Sequence, residues 1–77
     1  MMSLKVEIET LFVALQEYAA SGDTVVLLAQ ENKVCQLALM GLGVVLQAQG
    51  LIQEGGMVLN MKPAEVLKFQ HRIKIAD

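Results

Sequence analysis

Cys35 and His71 are the single cysteine and single histidine of this 77-residue chain, and they are the residue types from which a nucleophile and its base are made. A reactive thiolate needs an electropositive, accessible setting and a base in reach. Cys35 stands instead among Val34, Leu37 and Ala38, where free cysteine behaves as a small buried hydrophobe. One Cys and one His also fall short of a zinc site, which takes four ligands. His71 reads as an exposed residue near a helix C-terminus, where a cation is mildly favoured.

The other chemistry-bearing residues are no better assembled. Glu7, Glu9 and Glu17 read as residues of a solvated helix face, and Glu7 and Glu9, two positions apart, point about 200° away from each other on a helix, so they are no acid/base pair. "GLGVVL" at 41–46 begins like a G-x-G-x-x-G phosphate loop, but Leu46 replaces the third glycine, and the fold around such a loop needs more chain than this. Met40, Met57 and Met61 read as adaptable packing. Lys68, His71, Arg72 and Lys74 form a candidate basic surface able to touch phosphates. It lacks interleaved aromatic residues, and the chain as a whole carries −2. No enzyme, cofactor or metal site is expected from these residues.

The composition points elsewhere. Apolar residues make up 55% and charged residues 18% of the chain, against roughly 25% charged in ordinary domains. A small single domain, which is the expectation for residues 1–77, has more surface per unit volume and needs more polar cover, not less. A surplus of apolar residues on a small chain is normally covered by another chain. Charge is also unevenly spread: residues 1–31 sum to −4 and residues 32–77 to +2, a distribution that suits attraction across a symmetric contact. A lone cysteine excludes an intramolecular disulfide, and "MMSLKVEIET" lacks the pattern of a signal peptide, so a cytoplasmic protein is the default expectation.

The elements that must carry these residues read mostly as helix. After a candidate N-cap at Ser3, Leu4, Ile8, Leu11, Phe12, Leu15 and Tyr18 or Ala19 fall at three- and four-residue steps, the stripe of an amphipathic helix. Gly22 is placed to end it in the left-handed conformation. Asp23 or Thr24 can cap a short helix over 24–31, and Asn32 a longer one over about 33–49. The polar stripe of that longer helix would be Lys33, Gln36, Gly43 and Gln47, interrupted by Met40. The competing reading pairs "TVVLLAQ" with "KVCQLAL" and "VVLQAQ" with "MVLNM" as an antiparallel sheet flanked by helices. Valines favour the sheet; the dominant Leu, Ala and Gln favour helix. Paired glycines at 55 and 56 break either pattern, "MVLNM" suits a short extended segment, and Pro63 at a first helical turn starts a basic C-terminal helix.

Residues 34–52 pass without a charge, close to the length of about 20 that spans a bilayer. Gln36, Gln47 and Gln49 argue against a membrane-associated peptide, as do flanks without an aromatic belt. The expected architecture is all-α, with three to four short helices in a dimeric bundle. Residues 34–52 supply both core and contact, with Phe12, Leu39, Leu42, Val45 and Leu46 as candidate interface residues. The expected role is a protein–protein interaction module acting as a homodimer or with another protein: an adaptor, inhibitor, chaperone-like or assembly subunit. A small nucleic-acid-binding regulator using the basic C-terminal helix is the alternative.

Overall fold

The structure, a computed structural model, describes residues 3–30 and 33–75, with only the backbone of Val34. The order of elements is α1 (Leu4–Gln16), α2 (Val25–Leu28), α3 (Lys33–Ala48), a 3-10 helix (Gly55–Asn60) and α4 (Pro63–Leu67). The chain is all-α. Among the described residues there is no strand, so the alternative of a helix-flanked antiparallel sheet does not hold. Valines at 25, 26, 44 and 45 are carried into helices by the Leu, Ala and Gln around them. Asn32, the expected cap of the longer helix, lies outside the described residues.

Ser3 is the N-cap of α1: its backbone is extended and its hydroxyl accepts from the Val6 N–H at 3.2 Å. Glu7 adds a carboxylate in the first turn, near the positive end of the helix dipole. Ile8, Leu11, Phe12 and Leu15 are buried as the stripe requires, whereas Leu4 and Tyr18 are exposed. Gly22 does not end the helix. Regular α-helix stops at Gln16 and loosens through i→i+3 turns to Ser21, with Glu17 at the end where the dipole disfavours an anion. Among the described residues only Gly50 has a positive φ, at 72°.

That glycine closes α3. The Gly50 N–H donates to the Gln47 carbonyl at 3.0 Å and the Leu51 N–H to the Leu46 carbonyl at 2.9 Å, the paired bonds of a Schellman end. α3 is the centre of the molecule. It buries Ala38, Leu39, Leu42 and Leu46, and packs on α1 on one side and the 3-10 helix on the other.

"MVLNM" is not extended. Within the 3-10 helix side chains recur every third residue, which puts Gly55 and Val58 on one face, and the extended Met61 closes the element. Val58 is buried, and the Met61 carbonyl accepts from the Val25 N–H at 2.8 Å, tying in α2, a single turn too short to persist alone. An extended backbone would have split these residues between two faces. Gly55 meets Gly43 of α3 so closely that a Cβ on Gly43 would lie 2.4 Å from the Gly55 carbonyl oxygen. Pro63 does start α4, with the Glu65 carboxylate accepting from the Lys62 N–H at 3.2 Å. α4 packs on α1, and the chain beyond Leu67 continues as turns.

Candidate interaction surface

The three glutamines of the uncharged stretch, two in α3 and Gln49 in the turn that closes it, each fasten a segment of irregular backbone. The Gln36 amide donates to the carbonyls of Ala29 and Gln30, both at 3.0 Å, and so caps the end of α2. The Gln47 side-chain oxygen accepts from the Gly55 N–H at 2.8 Å, at the start of the 3-10 helix. The Gln49 amide takes both backbone groups of Lys74: its oxygen accepts from the Lys74 N–H at 3.0 Å and its nitrogen donates to the Lys74 carbonyl.

Of the expected polar stripe of α3, Lys33 and Gln47, with the interrupting Met40, are on its outer face, but Gln36 is turned to α2 and Gly43 is buried. That face is Lys33, Leu37, Met40, Val44 and Gln47, at successive steps of four, three, four and three residues. Leu37 is 67%, Met40 62% and Val44 67% exposed. Steps of three and four are those of a coiled-coil seam, and the seam extends roughly 21 Å at 1.5 Å per residue. Beside it lies an open groove of about 370 Å³ between α3 and the 3-10 helix, lined by Met40, Val44, Gln47, Gly55, Gly56 and Leu59 among others. Met57 of the 3-10 helix is also exposed.

The sequence-derived contact residues lie elsewhere. Phe12, Leu39, Leu42 and Leu46 are between 0 and 2% exposed and form the chain's own core; Val45 is half-buried against it. Leu39, Leu42 and Leu46 lie on the side of α3 opposite to Leu37, Met40 and Val44. Both triads have the same spacing, so periodicity alone does not choose between them. Choosing requires noticing that only the outer triad is bracketed at both ends by Lys33 and Gln47.

Other exposed apolar residues are scattered. Val6 and Val13 of α1 are separated by Glu9 and Thr10. Val13 borders a second groove, of about 460 Å³, that also has Lys5, Glu9 and His71 on its walls. Cys35 is half-buried and lines a small crevice with Leu11, Leu15 and Leu39, away from the groove that His71 borders. Among the described residues no three His, Cys, Asp or Glu side chains are placed to hold a metal ion.

Compared with protein-family models, curated proteins and solved structures, the chain matches none.

The basic residues do not share a helix. Lys68 is the C-cap of α4, His71 and Arg72 are on the turns that follow, and Lys74 is in the terminal segment held by Gln49. The Arg72 guanidinium lies over the Phe69 ring, 5.7 Å from its centroid. A basic helix suited to a nucleic-acid groove is therefore absent from the described residues. The reason is that α4 has only Pro63 and Val66 buried to anchor it. No helix among these residues is long and apolar enough to cross a membrane.

Proposed function

We propose that the chain is a protein–protein interaction module that self-associates through the outer face of α3 and the neighbouring 3-10 helix. The observation that supports this is the Leu37–Met40–Val44 seam, three large apolar side chains in register and each more than three-fifths exposed. Together they offer on the order of 400 Å² of contiguous apolar surface, as much as the largest patch of a typical monomer. Covering that area on two copies buries roughly 800 Å², the size of a weak or transient interface.

The test is sedimentation equilibrium or light scattering across micromolar concentrations. Wild type is expected near twice the chain mass of 8.4 kDa. Met40→Glu and Val44→Glu, both at exposed positions, should give folded monomers with unchanged circular dichroism. A wild-type chain that stays monomeric to the highest accessible concentration refutes the reading.

A further inference from the structure

The outer face of α3 has its own complement on it. The Leu37 side chain projects at one end, beyond Lys33 at the helix start. The groove beside α3 runs from Leu39 and Met40 to Gln47, Gly55 and Gly56, and so reaches the other end of the face. The charges are just as polarised: Lys33 is the single charged residue of α3. Glu54, exposed, immediately precedes the Gly55 that is bonded to Gln47. A rotation of 180° therefore brings knob to groove and cation to anion, whereas a parallel copy sets Lys33 beside Lys33.

We infer that the partner covering this face is a second copy of the chain, with the two α3 helices packed antiparallel. This rests on the self-association proposed above. In antiparallel seams each residue of one heptad position faces the other position on the partner helix. Met40 of each copy then lies against Val44 of the other, and Leu37 against the end of the helix that carries Gln47. The Lys33 ammonium extends past that end towards Glu54 of the second copy, and also towards the negative pole of the opposing helix. The backbone there, Gly55 and Gly56, carries no side chains to obstruct the approach of Leu37.

Pulsed electron spin resonance on Lys33→Cys, spin-labelled in a Cys35→Ala background, reads the orientation directly. Centring the pair between Met40 and Val44 puts the two labelled positions eighteen residues apart along the axis. At 1.5 Å per residue and an interaxial distance of about 9 Å their separation is about 28 Å. A parallel pair puts it near 9 Å. Dimers with only the short distance overturn the antiparallel inference and leave self-association standing. Absence of any dimer of the unlabelled wild-type chain in sedimentation equilibrium, at every accessible concentration, removes both. In the unlabelled protein, Lys33→Glu and Glu54→Lys should each weaken the dimer several-fold at low salt, and the double variant should restore it. A double variant weaker than either single one overturns the pairing of Lys33 with Glu54.

Discussion

Alanine placed at Gly41 and at Gly43 should move stability in opposite directions, although the two positions are in one helix, two residues apart. Either substitution gains about 0.8–1 kcal/mol of intrinsic helix preference. At Gly41 the new methyl meets only the Leu4 Cδ1, at 2.9 Å. Leu4 is 43% exposed at the first turn of α1, so its side chain can rotate away at small cost. At Gly43 the methyl meets backbone: the Gly55 carbonyl oxygen at 2.4 Å, its carbon at 3.0 Å and the Gly55 Cα at 3.3 Å. Ordinary contact requires the 3-10 helix to retreat by about 1 Å. The overpacking costs about 1–3 kcal/mol. The same retreat stretches the 2.8 Å bond from the Gly55 N–H to Gln47 beyond hydrogen-bonding range, losing about 1 kcal/mol more. Net of the helix gain, Gly43→Ala is destabilised by about 1–3 kcal/mol, while Gly41→Ala is stabilised by about 0.5–1 kcal/mol. For a chain of this size each kcal/mol is about 4–8 °C in Tm. Thermal and urea unfolding followed by circular dichroism, at one fixed concentration, should show Gly43→Ala melting well below wild type and Gly41→Ala slightly above. A Gly43→Ala protein as stable as Gly41→Ala would refute the backbone contact between α3 and the 3-10 helix.

Leu42→Glu, unlike the seam substitutions, puts a carboxylate at a fully buried position and should abolish helical circular dichroism at any concentration, since an unpaired buried charge costs several kcal/mol; a folded Leu42→Glu monomer would show that α3 presents this side to a partner. Gly50→Ala forces an L-residue into φ 72° and should cost about 1 kcal/mol, read as a fall in the urea midpoint without a change in m. Gln49→Ala releases both backbone groups of Lys74 and should speed amide exchange at residues 73–75 while global stability falls by only about 1 kcal/mol. Unchanged exchange there would show that the terminal segment is held by its packing rather than by Gln49.

What the sequence made legible follows from where a residue's type constrains the backbone by itself. Ser3 three residues ahead of Val6, the Ile8–Leu11–Phe12–Leu15 stripe and Pro63 at the start of α4 all act locally, and all are as their types imply. The all-α class followed from the excess of Leu, Ala and Gln over Val in the middle of the chain. Long-range choices left weaker traces. Gly22 and Gly50 are equally able to adopt positive φ, but only Gly50 follows a helix whose last turn stays packed, so only there are Gln47 and Leu46 carbonyls positioned to take the two closing bonds. "MVLNM" has the residues of a strand, yet among the described residues no second strand offers it a ladder, and a three-residue repeat gives Val58 to the core and Gly55 to Gly43.

The inner and outer triads of α3 show the same limit at the candidate site. Leu39, Leu42 and Leu46 match Leu37, Met40 and Val44 in spacing and nearly in hydrophobicity, so α3 is apolar almost all round. A helix that is apolar all round is ordinarily buried on all its sides. The chain itself covers the Leu39–Leu42–Leu46 side: α1 and the 3-10 helix both pack on α3, and the 3-10 helix can approach only because Gly43 and Gly55 lack side chains. Gln36, Gln47 and Gln49 meanwhile spend their amides on α2, the 3-10 helix and the terminal segment instead of facing water with both ends of each amide. Each glutamine of the uncharged stretch thus has part of its amide bonded within the fold, although Gln47 and Gln49 remain exposed, and the apolar side left over is the Leu37–Met40–Val44 seam. The apolar excess in the composition and the seam in the structure are one fact, because the residues that would have diluted it on the surface are used to hold irregular backbone in place.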